Sequence, residues 1–333
     1  MRAEGMDLIY HVRELSVMGF AEVIRHLPVL RSVEQTLEAI LTVRRPDVLM
    51  LIDYPGFNMR FAAKARRMGI KILYYISPQV WAWRSGRAKK MASLIDKMMV
   101  VFPFEKELYE KVGVDVEFVG HPLLEVLGES QKKEDFCKRH GFDPTKPIIG
   151  LFPGSRRQEL ERIFPAMLGA GDILREKHGV HVAVGAASVL ASDYVKSFLA
   201  DDSKTKVLHN ATYDLMANAD VALVTSGTAT LETAYYGTPM VVVYRTSWLT
   251  YVLGRLLVRV KNIGLVNIVA EKTLVPELIQ THVNPLALAN AAEQFLINKN
   301  ISSTTRKALS IVKERLGTPG ASRRVVDAII AMA

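Results

Sequence analysis

Short β-branched runs alternate with amphipathic stretches along most of the chain, and this alternation predicts parallel strands covered by helices. In the first half we predict strands at 47–52, 71–76, 97–102 and 116–119, with helices at 57–68, 85–93 and 104–111. A second series predicts strands at 148–152, 181–184, 221–224 and 240–244, with helices at 159–176, 193–199 and 228–236. Ahead of the first strand, two helices are predicted at 17–27 and 31–43.

These two series of similar size predict two Rossmann-like α/β domains that face each other across a cleft. Residues 126–147 turn polar, with the run QKKED and two prolines, so we interpret them as a linker. The predicted domains are therefore residues 1–125 and 148–315. Residues 316–333 are predicted to form a C-terminal helix that returns to the first domain.

Composition limits the possible functions. Lys and Arg number 43 against 34 Asp and Glu, which leaves a net charge of +9 and favours an anionic partner: nucleic acid, an acidic membrane surface or a phosphorylated substrate. The single cysteine, Cys137, excludes an intramolecular disulfide and a multi-cysteine metal site. The eight histidines show no paired spacing, so we expect no metal. No apolar run approaches the ~18–20 residues of a membrane span, and no secretory signal is visible, which indicates a cytoplasmic protein.

Asp53 is the first candidate for chemistry. It lies in the motif IDYPGFN, where a predicted strand ends and a turn begins. Ligands of open α/β sheets bind beyond such strand ends, and a carboxylate there can act as a general base toward an acceptor hydroxyl. The same residue type also caps helices and stabilises Pro-Gly turns, so both interpretations stay open.

Two loops of the second domain are compatible with phosphate. In LFPGSRRQE, a strand is followed by a Gly-Ser turn and a helix start, and Arg156 adds a planar cation. In VTSGTATLE, small residues again join a strand to a helix, and Glu232 follows within that helix. A solvated loop and an ordinary first-turn acid are the alternatives. The Gly-Lys-Ser/Thr ending of a P-loop is missing, so ATP chemistry is not supported.

Aromatic residues beside cations suit a lipid headgroup region or a nucleic acid. Packing into the core is the more common outcome for the two tryptophans of the first stretch, and burial against the second domain explains the second stretch equally well. Two stretches have this character, one in the first domain and one in the second. Their candidate residues are Trp81, Trp83, Arg84, Arg87, Trp248, Arg255 and Arg259.

Several motifs together closely resemble one family. IDYPGFN, YYISPQVWAWR, FPFEKELY, FVGHPL, LFPGSRRQE, SGTATLE and VVYR occur in the order and spacing of the lipid-A-disaccharide synthases, as does the region around Asn267. The resemblance runs from the beginning of the chain to its C-terminus. It implies the two-domain fold of the GT-B glycosyltransferases.

The resemblance also implies an inverting transfer of 2,3-diacylglucosamine from its UDP conjugate to 2,3-diacylglucosamine 1-phosphate. Asp53 matches the base proposed for this family. The implied UDP-binding residues are Arg156, Ser226, Gly227, Thr228, Glu232, Tyr244, Arg245 and Asn267. Neither a cofactor nor a metal is implied, because cations and helix N-termini can stabilise the departing diphosphate.

Family members begin with a strand and a Gly-Glu-x-Ser-Gly-Asp turn that this sequence lacks, so we expect the first domain to be incomplete at its N-terminus. The implied partners are acylated glucosamines and the anionic inner-membrane surface on its cytoplasmic side, where the enzyme would be peripheral; a homo-oligomer is possible and nucleic acid is not expected. The alternatives are another GT-B transferase acting on a lipid-linked sugar, and a non-catalytic remnant that binds UDP or lipid.

Overall fold

The computed structural model describes residues 5–11, 20–79, 81, 86–187, 192–248, 250–252 and 261–333, without the side chains of residues 20–27, 86 and 87. Helix α1 (Phe20–Arg44) precedes a parallel sheet with the order β1–β2–β3–β4. Its strands are Val48–Ile52, Lys71–Tyr75, Lys97–Val100 and Val116–Phe118. The connecting helices are α2 (Pro55–Arg67), α3 (Gly86–Ala92) and α4 (Pro103–Glu110), and a 3₁₀ turn, Pro122–Glu125, follows β4.

A second parallel sheet has the order β10–β9–β8–β5–β6–β7. Its strands, in chain order, are Ile148–Phe152, His181–Gly185, Lys206–Leu208, Val221–Thr225, Met240–Tyr244 and Glu277–Ile279. The helices are α5 (Lys133–His140), α6 (Arg157–His178), α7 (Ser192–Lys196), α8 (Thr212–Asn218), α9 (Thr228–Tyr235), α10 (Leu265–Val269), α11 (Pro285–Ile297), α12 (Lys299–Arg315) and α13 (Ala321–Met332), and a 3₁₀ turn, Gln280–His282, follows β10.

The α/β architecture and its two parallel sheets confirm the predicted fold class. Every residue of β5 and β8 is buried, which explains why these strands read as continuous apolar runs instead of alternating ones. Neighbouring residues of a strand face opposite sides of the sheet. Tyr74 therefore packs with Phe61 and Tyr109, whereas Tyr75 packs on the side of Phe102 and Val119.

The C-terminal helix α13 contacts β1, β2 and the Pro122–Glu125 turn. Its Val325 belongs to the hydrophobic cluster that contains Tyr75 of the first sheet and Val224 of the second. Leu316, just before α13, accepts a hydrogen bond from the His121 backbone N–H at 2.8 Å. The C-terminal segment thus connects the second half of the molecule to the first. The domain boundaries 1–125 and 148–315 remain predictions.

Most predicted boundaries lie within two residues of the observed ones, and two expectations need correction. The helices expected at 17–27 and 31–43 are one helix from Phe20, which continues through Pro28 because buried Leu30 and Val33 anchor its next turn. The stretch interpreted as a linker contains α5, whose Phe136 and Cys137 are fully buried. The sequence did not predict α5 because the stretch is mostly polar and the helix buries only Phe136 and Cys137.

Among the described residues, no helix combines the length and apolar character needed to cross a bilayer.

Candidate active site

Asp53 follows β1 at the carboxyl end of the first sheet. Asp53 and the next residue, Tyr54, have φ values of 45° and 42°, a left-handed conformation that costs non-glycine residues of order 1–3 kcal/mol. The Asp53 backbone N–H donates to Tyr75 O at 3.0 Å. Its carbonyl accepts from the Tyr74 hydroxyl at 2.5 Å and from Asn58 Nδ2 at 2.7 Å. These bonds hold the backbone in place, and the Asp53 side chain is exposed.

The Tyr74 hydroxyl is well suited to this task. Burial, together with the charge of Asp53, raises the pKa of Tyr74, so the hydroxyl keeps its proton and can donate. Asn58 also donates to Ile52 O at 3.0 Å, which ties the turn to the end of the strand. The sequence analysis did not single out Tyr74 or Asn58, because a tyrosine in an apolar strand looks like a core residue.

The two predicted phosphate loops lie side by side in the second sheet. Strands β5 and β8 are neighbours, with Phe152 paired to Val224, and the strand order reverses between them. Ligands of open parallel sheets bind in the crevice at such a reversal, outside the carboxyl ends of the strands. The structure therefore places the loop after Phe152 and the loop after Thr225 where a ligand is expected to sit.

Arg156 occupies the N-cap position of the 22-residue helix α6. Its Nη1 donates to Glu159 Oε1 at 2.7 Å, and 56% of its side chain is exposed. Gly154, two residues earlier, has φ +105°, and a Cβ there would lie 2.5 Å from Glu159 Oε2. Because Gly154 has no side chain, the Glu159 carboxylate can lie against the loop at that position. Glu159 in turn holds the largely exposed guanidinium of Arg156 at the start of the long helix α6.

The loop after β8 is tied to a neighbouring loop. Ser226 N–H donates to Val243 O at 3.0 Å, and Ser226 Oγ donates to Ile263 O at 3.1 Å. Gly227 caps α9 with φ 149°, and Thr228, the first residue of α9, is exposed. These contacts leave the first turn of α9 facing the crevice.

Glu232 lies one turn into α9 and is half-buried. Burial raises the pKa of its carboxyl group. Glu232 thus lies one helical turn behind exposed Thr228 as a partly buried hydrogen-bond acceptor.

Asn267 has a different environment from the other predicted UDP-binding residues. It is fully buried, and its Nδ2 donates to Val275 O and Glu277 Oε1, both at 2.9 Å. Its Oδ1 accepts from Leu274 N at 2.8 Å and Val275 N at 3.1 Å. The amide has thereby used its hydrogen-bonding capacity on the segment that follows α10. Contact between Asn267 and UDP stays a prediction, and the geometry favours a positioning role for this residue.

Glu277, which sequence reasoning missed, completes this arrangement. Its Oε2 accepts from Ile263 N at 2.8 Å, and its Oε1 accepts from Gly264 N at 2.9 Å as well as from Asn267. Since Ile263 O in turn accepts from Ser226, a continuous set of hydrogen bonds runs from Asn267 to the loop before α9. Nothing in the sequence near Glu277 indicates that it reaches back to residue 263.

Tyr244 ends β9, and exposed Arg245 follows it beside a cavity of about 380 Å³. Gln280 is buried at this cavity, where its side chain exchanges two hydrogen bonds with the backbone of Thr246. Trp248 is 62% exposed at the rim and packs edge-on against Tyr251. The cavity is lined by Glu161, Arg162, Arg245, Thr246, Ser247, Trp248, Gln280 and Thr281.

The aromatic stretch of the first domain is described in part. Trp81 is half-buried, and its indole packs edge-on against Phe104 with ring centroids 5.3 Å apart. Only the backbone of Arg87 is described, within α3. The other candidates of these stretches, Trp83, Arg84, Arg255 and Arg259, lie outside the described residues.

No group of three or more His, Cys, Asp or Glu side chains that could hold a metal ion is found in the described part of the chain.

Comparison with known proteins identifies the family. The family model of lipid-A-disaccharide synthetase matches residues 1–324. The lipid-A-disaccharide synthases of Geobacter metallireducens and Geobacter sulfurreducens are 43% and 42% identical over all of this chain and 87% of their own length. That of Coxiella burnetii is 38% identical over 99% of this chain and 87% of its own length.

Solved structures show the same fold at low sequence identity. The calicheamicin glycosyltransferase CalG4 has a TM-score of 0.58 at 14% identity, over 94% of this chain and 82% of its own. A UDP-GlcNAc 2-epimerase from Neisseria meningitidis bound to UDP-GlcNAc has a TM-score of 0.61 at 12% identity, over 91% and 81% of the two chains. These neighbours confirm the GT-B type of fold.

Proposed function

Because this chain belongs to the lipid-A-disaccharide synthase family, we propose that it joins UDP-2,3-diacylglucosamine to 2,3-diacylglucosamine 1-phosphate. The products are the β-1,6-linked disaccharide 1-phosphate and UDP. The protein is thus a glycosyltransferase of lipid A biosynthesis. The observation that supports this reaction best is the pairing of β5 with β8, which brings two phosphate-compatible loops together at the reversal of the strand order.

In the proposed reaction, the acceptor 6-hydroxyl attacks the anomeric carbon of the donor sugar from the side opposite UDP. The new O–C bond forms as the bond from that carbon to the diphosphate breaks, and the electron pair leaves with UDP. Asp53 takes the hydroxyl proton. One base acting on an oxocarbenium-like centre is sufficient for inversion, and the exposed carboxylate on a rigid turn suits the task.

The second domain holds UDP in this proposal. Arg156 and the N-termini of α6 and α9 face the growing negative charge of the leaving diphosphate, where such groups are most effective. Glu232 accepts from the ribose hydroxyls. Ser226, Gly227 and Thr228 supply the loop, Tyr244 and Arg245 border it, and Asn267 keeps its neighbouring loop in position. No metal or cofactor enters the reaction.

The acylated substrates reside in a membrane, so we propose that the protein works at the anionic cytoplasmic face of the inner membrane. Its net charge of +9 and the exposed Trp248 support surface binding. Flotation with phosphatidylglycerol vesicles should recover the protein at low salt and lose it at high salt, and Trp248→Ser should float less. Equal recovery with neutral phosphatidylcholine vesicles would contradict the proposal that positive charge drives membrane binding.

The experiment that tests the reaction is product analysis by mass spectrometry with both substrates. A disaccharide 1-phosphate that requires both of them is expected. Another acceptor used in preference would indicate a different lipid-linked sugar, and UDP binding without any turnover would indicate a non-catalytic protein. A homo-oligomer, which light scattering detects, is compatible with every one of these results.

A further inference from the structure

The cavity beside Arg245 lies beyond the carboxyl ends of β9 and β10. Arg245 follows β9 and Thr281 closely follows β10, whereas Arg162 lines the cavity from α6. The strand order β10–β9–β8–β5 sets this cavity to one side of the crevice between β5 and β8. Its volume of about 380 Å³ is in the range of pockets that bind small molecules. It is therefore a separate candidate site next to the proposed diphosphate site.

Two arginines determine the charge of this cavity. Both are exposed, and within the part of the chain that the structure describes neither Arg162 nor Arg245 has an ion-pair or hydrogen-bond partner. Glu161 also lines the cavity, and its carboxylate accepts from the Tyr194 hydroxyl at 2.9 Å. The described lining residues thus carry two positive charges against one negative charge. A guanidinium group presents paired N–H donors that match the oxygens of a phosphate, so the cavity favours a phosphorylated ligand.

Gln280 holds the cavity in shape. Its side chain is buried, its Oε1 accepts from Thr246 N at 2.7 Å, and its Nε2 donates to Thr246 O at 3.1 Å. The φ of Gln280 is 53°, a left-handed conformation that persists only where the surrounding contacts maintain it. Because Thr246 directly follows Arg245, these bonds fix the backbone from which the Arg245 side chain extends. A site that is held ready in this way loses less conformational entropy when a ligand binds.

The rim of the cavity adds an aromatic surface. Trp248 is largely exposed there, with Tyr251 packed edge-on against its indole. An exposed indole offers a flat apolar face to a sugar ring, whereas the two arginines require an anion. A sugar that carries a phosphomonoester has both properties. The diphosphate of UDP, by contrast, is matched in the proposed reaction by the N-termini of α6 and α9.

We propose that this cavity binds the 1-phosphate of the acceptor, with Arg162 and Arg245 on the phosphate oxygens and Trp248 beside the sugar ring. The phosphate on C1 and the reacting hydroxyl on C6 occupy different positions of one sugar. Anchoring the phosphate therefore leaves the hydroxyl free to meet Asp53. The identity of the acceptor rests on the proposed function, whereas the binding of a sugar phosphate to the cavity does not.

Binding of α-D-glucosamine 1-phosphate, followed by phosphorus NMR, tests the site without any turnover. We expect the protein to bind this sugar phosphate in the presence of saturating UDP, and Arg162→Gln to weaken the binding about tenfold. Arg139→Gln makes the same change of charge at an exposed position of α5 and should bind as the wild type does. Absence of binding, displacement by UDP or wild-type affinity in Arg162→Gln would overturn the proposal. Equally tight binding of inorganic phosphate would overturn the assignment to a sugar phosphate.

Acceptor preference tests the role of the cavity in the reaction. Judged by kcat/KM, the wild type should prefer 2,3-diacylglucosamine 1-phosphate to 2,3-diacylglucosamine, and Arg162→Gln should reduce this preference about tenfold. Arg162→Lys should restore part of it, because lysine keeps the charge without the paired donors, and Arg139→Gln should retain it fully. An equal loss with both acceptors would indicate a structural role and overturn the proposal. If neither acceptor yields a disaccharide, the proposed function fails, and the NMR titration still decides whether the cavity binds a sugar phosphate.

Discussion

Asp53 combines a strained, firmly bonded backbone with an exposed carboxylate, so a change confined to the carboxylate tests its chemistry with little effect on the fold. Asp53→Asn keeps the size of the side chain and removes the base. We expect the rate of transfer to fall about 10²–10⁴-fold. The affinity for UDP should stay unchanged, because the proposed UDP-binding residues all belong to the second half of the chain. Steady-state kinetics and calorimetric titration with UDP measure the two quantities.

Asp47→Asn serves as the matched control, since exposed Asp47 lies just before the amino end of β1, at the opposite edge of the sheet. It should transfer sugar at the wild-type rate. Undiminished turnover by Asp53→Asn would remove Asp53 from the mechanism.

Asn267 lies in α10 and is predicted here to act by holding the segment 274–277 in place. Asn267→Ala leaves backbone groups of Leu274 and Val275 and the Glu277 carboxylate without their amide partner. Loss of several buried hydrogen bonds should lower the free energy of unfolding by about 2–4 kcal/mol, measured by urea denaturation. Asn262→Ala, five residues earlier, removes the acceptor of the Thr273 hydroxyl at 3.1 Å and should cost less than about 1 kcal/mol. A large loss of UDP affinity with unchanged stability would instead indicate direct contact.

The start of α6 depends on Gly154, and this element offers a test of the phosphate loops. Gly154→Ala imposes a strained φ and pushes Glu159 away from Arg156, so the affinity for UDP should fall about tenfold. Gly179→Ala is the control at the other end of the same helix. Gly179 also has a positive φ, of 65°, but a Cβ there meets nothing within 4 Å. Gly179→Ala should reduce stability without changing the affinity for UDP. Equal UDP affinity of Gly154→Ala and Gly179→Ala would show that the geometry of the loop at Gly154 does not determine UDP binding.

The two halves of the molecule are joined at the C-terminus, and this junction is expected to matter for catalysis more than for UDP binding. Arg324 donates through Nε to Val119 O at 2.9 Å and through Nη2 to Thr318 O at 2.7 Å. Glu125 accepts from Ser322 N and Oγ at 2.8 and 2.6 Å, and these bonds lower the pKa of its carboxyl.

Arg324→Ala should therefore loosen α13 from the first sheet. We expect faster amide hydrogen exchange in residues 321–332, a reduced rate of transfer and an unchanged affinity for UDP. Arg323→Ala, at an exposed neighbour that pairs with Asp327 on its own helix, should leave the exchange of α13 nearly unchanged. Wild-type exchange in Arg324→Ala would mean that apolar packing of α13 alone holds the junction.

Local pattern was enough to predict the two α/β series, most strand ends, and the loops that carry Asp53, Arg156 and Ser226. Apolar periodicity and the Gly-Ser turns between strand and helix depend only on residues that are close in the chain, so the sequence alone reveals them. The helix inside 126–147 and the continuation of α1 through Pro28 escaped this approach, because in both places buried contacts with distant residues outweigh local preference.

Everything that turns those loops into a site depends on contacts between residues far apart in the chain. The pairing of β5 with β8 joins residues about seventy positions apart, and it puts Arg156 and Ser226 at one crevice. The four hydrogen bonds of Asn267 have the same origin, as do the bonds that Glu277 accepts from Ile263 and Gly264. A side chain's partners and its depth in the protein follow from how the elements pack together, so these roles became visible only in the folded chain.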